Sequence, residues 1–83
     1  VKYVIYIIYS AKCDKYYVGH TDSLERRLDE HNSGRGGTFS KNCYPWILKY
    51  SEYFETRSQA MRREKEIKDK KSRKYIEYLI SNA

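Results

Sequence analysis

The chain has 83 residues, 40% of them apolar, with a formal charge of +6 and a pI near 9.3. That length holds one domain with one modest core, and the basic balance points to a polyanionic partner. No run reaches the roughly 18 apolar residues of a membrane span, and no secretory leader is read at the start, so a cytoplasmic location is expected.

Val1 to Tyr9 is almost all β-branched and aromatic and reads as a buried strand. Residues 10–15 are polar and turn-like, and Tyr16 to Gly19 forms a second short strand, giving an antiparallel hairpin. Asp22 with Glu25 three residues on matches a helix N-cap, opening a helix from Ser23 to His31 whose apolar stripe is Leu24 and Leu28. Gly34, Gly36 and Gly37 end that helix in a loop suited to closing on a ligand. Tyr44-Pro45 precedes a third strand, Trp46 to Phe54. Thr56 with Gln59 is a second capping box, for a helix from Arg57 to Lys70. Ser72 starts a final helix carrying Tyr75, Ile76, Leu79 and Ile80. The order strand, strand, helix, strand, helix, helix predicts an α+β fold: a three-stranded, mainly antiparallel sheet flanked by helices, spanning residues 1–83 as one domain.

Cys13 and Cys43 fall in turn or loop segments. Two cysteines do not frame a secreted mini-protein, so they read as free thiols in a reducing compartment, with a single disulfide as the alternative. A zinc site built from Cys13, His20, His31 and Cys43 lacks paired ligand spacing.

The positive charge is concentrated between Arg62 and Lys74. Arg62, Arg63, Lys68, Lys70, Lys71, Arg73 and Lys74, together with Arg35 in the glycine loop, are candidate contacts to a nucleic-acid backbone. A membrane surface is the competing partner, but no bulky apolar face backs the stripe.

Arg27 and His31 lie four apart on one helix face beside the apolar stripe. They read either as a guanidinium and imidazole at a cleft edge or as a solvated face. Ala60, Glu64 and Ile67 have the spacing of a core-facing stripe, where a carboxylate is costly to bury unless it is paired or bound to a metal. The alternative stripe is Met61, Ile67 and Lys68, with Glu64 at the rim. Tyr6 and Tyr17 sit mid-strand in the hairpin, where cross-strand pairing brings them near each other. Most of the ten tyrosines, including Tyr3, Tyr50, Tyr53 and Tyr78, read as packing. Gly19 inside a strand marks a close approach.

Taken together these blocks resemble the GIY-YIG endonuclease family. The half-motifs stand as Val4-Ile5-Tyr6 and Tyr17-Val18-Gly19, followed by Thr21-Asp22-Ser23-Leu24-Glu25-Arg26-Arg27-Leu28 and His31. Pro45-Trp46 and the run Ala60-Met61-Arg62-Arg63-Glu64-Lys65 resemble the small stand-alone bacterial members. Val4 replaces the first motif's glycine, His20 stands where some relatives have lysine, and a late polar residue of larger members has no counterpart. The resemblance implies catalytic positions at Tyr6, Tyr17, Arg27, His31 and Glu64, with Gly19 structural and His20 assisting. It implies metal-dependent cleavage of DNA, branched or repair intermediates among the candidates, with Glu64 as ligand to Mg²⁺ or Mn²⁺. RNA stays open as a substrate, and the sequence does not set the oligomeric state. A non-catalytic nucleic-acid-binding module on the same fold is the alternative function, and a protein-interaction module whose charge is incidental is a second.

Overall fold

The computed structural model describes residues 2–35 and 42–82. Three strands, β1 (Tyr3–Ser10), β2 (Lys15–Thr21) and β3 (Ile47–Phe54), form one antiparallel sheet in the order β2-β1-β3. Three helices complete the expected order: α1 (Leu24–Asn32), α2 (Arg57–Asp69) and α3 (Arg73–Ser81). The central position of β1 explains its unbroken apolar run, since both its faces are covered. Between Ile7 and Ile8 the pairing with β3 shifts by one residue, leaving Lys49 as the extra residue of a bulge.

Side chains alternate across a sheet, and the two faces build separate cores. Ile5, Ile7 and Val18 pack with Ala60 and Ile67 of α2 and Leu79 of α3. On the opposite face Tyr6 and Ile8 pack with Cys43 and Trp46, against Leu24 and Leu28 of α1. The sheet is therefore sandwiched between α1 with its following segment and the α2–α3 pair.

Several local expectations need correction. The N-cap of α1 is Ser23, not Asp22: Ser23 Oγ accepts from the Arg26 amide, while Asp22 pairs with the Arg26 guanidinium at 2.9 Å. The helix needs a side-chain oxygen reaching its N3 amide, and Ser23 is the one in register. Gly34 is the helix stop: its φ is 81°, and the Arg35 amide donates back to the Glu30 carbonyl at 2.8 Å. The rest of the glycine loop expected to close on a ligand, Gly36 and Gly37, lies outside the described residues. Cys13 and Cys43 are not free thiols but a disulfide, with Cα atoms 5.5 Å apart. It ties the β1–β2 turn to the segment before β3, and it removes the free-thiol argument for a reducing compartment. The second strand also runs two residues beyond Gly19, through His20 and Thr21.

The capping box at Thr56 and Gln59 is present, with both bonds at 3.2 Å. Ser72 caps α3. Ala60 and Ile67 are buried and Met61 is exposed, so the stripe through Glu64 is the one that faces the core.

Candidate active site

The hairpin register places Tyr6 opposite Gly19, and Tyr17 opposite Ile8. Tyr6 and Tyr17 are thus diagonal neighbours on one face, not a direct pair, with ring centroids 6.2 Å apart. The bare Gly19 is what admits the Tyr6 ring. A Cβ there would lie 2.7 Å from the Tyr6 hydroxyl and 2.9 Å from its ring.

Arg27 and His31 project from α1 onto this same face. His31 is fully buried, not part of a solvated helix face, and its ring lies 4.8 Å from that of Tyr17. Its Nε2 is 3.1 Å from the Tyr6 hydroxyl. Arg27 also bonds both phenols, besides donating to Glu30 at 3.0 Å. A guanidinium can only donate, so the Tyr6 oxygen accepts from Arg27. The proton in the Tyr6–His31 bond lies on the phenol when His31 is the tautomer protonated at Nδ1, and on His31 when it is the other.

The charges follow from this packing. Burial pushes the Tyr6 phenol up to about 12, against a lowering contribution from Arg27. Burial, helped by the charge of Arg27, pulls His31 down to about 4. At neutral pH both are uncharged. Partial burial works against the charge on Arg27, but Glu30 and the phenols more than offset it.

Glu64 approaches from α2, on the other side of the sheet. His20, next to Gly19 on the edge strand, points toward α2, and its Nδ1 lies 2.5 Å from Glu64 Oε1. Lys68 donates to Glu64 Oε2 at 2.6 Å. Burial raises the Glu64 carboxyl, but Lys68 and His20 together hold it below its usual range. Its negative charge is the smallest of the influences that raise the Tyr6 phenol; the contact that holds the carboxylate at the β2 edge is the one to His20. Glu64 opens onto a groove of about 540 Å³ whose lining includes His20, Arg62, Lys65 and Lys68.

The basic stripe is not uniformly available. Arg63 is engaged within the fold: it donates to both oxygens of Glu52 at 3.0 and 3.1 Å and also bonds Glu66. Arg73 donates to Asp14 at 2.7 Å, Lys70 lies over the Tyr75 ring, and Arg35 pairs with Asp29 at 3.2 Å. Arg62, Lys71 and Lys74 are exposed.

Three further contributors are not singled out by the sequence for the parts they play. Trp46 packs its ring 6.2 Å from both Tyr17 and His31. Asn32 clasps the Trp46 backbone through both its carbonyl and its amide. Glu30 holds Arg27; its spacing of three residues from Arg27 is the one available clue.

Among the described residues no three His, Cys, Asp or Glu side chains cluster as a metal cage. The donor set is a single ionised carboxylate. That suits a hard cation such as Mg²⁺, which keeps most of its water.

A family model described as "GIY-YIG catalytic domain" matches residues 2–76. UPF0213 protein SH2523 of Staphylococcus haemolyticus is 42% identical over 67 residues, 81% of this chain and 80% of its own. UPF0213 protein VNG_2274C of Halobacterium salinarum is 40% identical over 63 residues, 74% of this chain and 82% of its own. The solution NMR structure of UPF0213 protein BH0048 from Bacillus halodurans superposes with a TM-score of 0.59 at 32% identity, covering 98% of this chain and 84% of that one. With its half-motifs on paired strands and the matched domain spanning nearly its whole length, this chain belongs to the GIY-YIG family, whose members are generally nucleases.

Proposed function

We propose that this protein is a metal-dependent endonuclease that hydrolyses phosphodiester bonds in DNA. The reading rests above all on Tyr6, Tyr17, Arg27 and His31 sharing one face, with His20, next to Gly19 on β2, bonded to the carboxylate of Glu64. Glu64 would hold Mg²⁺ or Mn²⁺, which when bound supplies Lewis-acid stabilisation of charge on the phosphate.

The chain's own groups do the rest. Arg27, kept ionised and aimed by Glu30, grips the non-bridging phosphate oxygens as their charge grows. A neutral phenol pushed up to about 12 is a poor base by itself. Its bond to neutral His31 gives it an outlet: as the Tyr6 oxygen takes a proton from the attacking water, its own proton passes to His31 Nε2. Tyr17, packed against both, fixes their orientation. His20 positions Glu64. Arg62, Lys71 and Lys74 are exposed cations of the stripe that make no ion pair among the described residues, and they would hold the DNA backbone.

The test is plasmid nicking and branched-DNA cutting with Mg²⁺ or Mn²⁺. Glu64→Ala and Arg27→Ala should abolish cutting while binding survives, and cutting that persists in both variants is contamination. A wild-type protein that binds DNA but cuts no structure with either metal is the non-catalytic module instead.

A further inference from the structure

We infer that the groove between the open edge of β2 and the α2–α3 corner takes an unpaired DNA strand and leads it to Glu64. The assignment of purpose rests on the nuclease reading, but the binding claim stands apart from it. The groove has a volume of about 690 Å³, within the ~300–1,000 Å³ of ligand-binding clefts. It joins the Glu64 groove through Lys68, which lines both, and Tyr17 of the edge strand is also among its lining residues.

Its chemistry is that of a single strand. The floor is apolar: Ile76 and Tyr16 are partly exposed on it, over the buried Val18 and Ile67, and the Arg73 guanidinium lies over the Tyr16 ring at 5.1 Å. Bases offer flat apolar faces to such a floor only when unpaired; in a duplex those faces are stacked away. The rim carries Lys15, Lys68, Lys71 and Arg73 against the single carboxylate of Asp14. Arg73 answers Asp14, and Lys68 answers Glu64. Lys71 makes no ion pair among the described residues.

Lys71 is also the residue with the least ordinary backbone. It follows the C-cap of α2 with φ 48°, in the left-handed region where glycine is the usual occupant. A lysine there gives up stability to put an ammonium at the groove mouth, beside Ser72 and the start of α3. The geometry therefore supplies a variant that should strengthen the fold while weakening the site.

The experiment is fluorescence anisotropy in EDTA, so that cleavage plays no part, with labelled oligothymidylate and a blunt hairpin duplex. The single strand should bind more tightly than the duplex. Lys71→Gly should weaken single-strand binding roughly three- to tenfold and lower its log-salt slope by about 0.7, the share of one phosphate contact. The variant should melt at or above the wild-type temperature. Equal or tighter duplex binding, an unchanged affinity in Lys71→Gly, or polyglutamate binding as well as the oligonucleotide would each overturn the assignment. Single-strand binding without cleavage in Mg²⁺ would remove the nuclease reading and leave this one standing; cleavage with no preference for an unpaired strand would do the reverse.

Discussion

Gly19→Ala tests whether the hairpin is built around a missing side chain. The new methyl would sit 2.7 Å from the Tyr6 hydroxyl, 2.9 Å from the ring carbon bearing it and 3.1 Å from the Tyr17 ring. Tyr6 cannot simply swing away, because it is 1% exposed and hydrogen-bonded to a fully buried His31. Two effects compete. Ala restricts the unfolded chain, which stabilises by ~0.4–1 kcal/mol where the backbone is compatible. Overpacking of a filled site costs ~1–3 kcal/mol. The clash wins, leaving a net loss of ~1–2 kcal/mol, and at ~4–8 °C per kcal/mol for a domain of this size the melting temperature should fall by about 5–15 °C. Melting followed by circular dichroism, with urea titration, reads this directly. Tyr6→Phe removes the nearest clashing atom. Its effect in the Gly19→Ala background should therefore be smaller than in the wild type by at least ~0.5 kcal/mol. A Gly19→Ala protein melting within ~2 °C of wild type, or strictly additive variants, would refute the packing argument.

Other outcomes follow from the same contacts. Arg27→Lys keeps a charge but loses the fork that reaches Glu30 and both phenols, so cleavage should fall by roughly 10²-fold or more with little change in DNA affinity; single-turnover rates against a binding titration separate the two. His31 has a folded pKa of about 4 against 6.5 for the free side chain, so the unfolded chain takes up its proton first. Its contribution is complete above about pH 6.5 and is lost as pH falls toward 4, on the order of 2–3 kcal/mol in all; urea unfolding should show this slope, and His31→Gln should flatten it. Breaking the Cys13–Cys43 bridge, which closes a separation of 30 residues, should lower stability by ~2–4 kcal/mol; identical denaturation curves with and without dithiothreitol would count against the bridge.

What the sequence discloses is what periodicity and local chemistry control. The apolar run of β1, the Thr56 capping box and the stripe of Ala60, Glu64 and Ile67 each have a local cause, and each element stands where expected. Asp22 and Ser23 are both good caps, and only helix register chooses between them. The cysteine pairing is not local at all, since Cys13 and Cys43 meet only because the β1–β2 turn and the pre-β3 segment cover the same sheet face. Nor is the fate of Arg63. Its place in a basic run suggests a phosphate contact, yet Glu52 from β3 captures it across the α2 interface. The burial of His31 depends on Trp46, a residue 15 positions further on, arriving over Tyr17.

The alternation of a strand accounts for how the proposed site would draw on both faces of a sheet. On β2, Tyr17 and Gly19 face α1, while His20 faces α2. Because β2 is an edge strand, no described residue pairs beyond it, and groups from the two faces can meet around its rim. Gly19 lets the Tyr6 hydroxyl sit close to that rim, and His20 draws Glu64 toward it from the other side. A central strand could not serve, since its neighbours would wall the two faces apart. If His20 acts by positioning, then His20→Ala should weaken the response of cleavage to metal concentration far more than it weakens DNA binding, and His20→Asn, which keeps a donor for the carboxylate, should restore part of it. Equal loss of metal response in both variants would show that His20 does something other than aim Glu64.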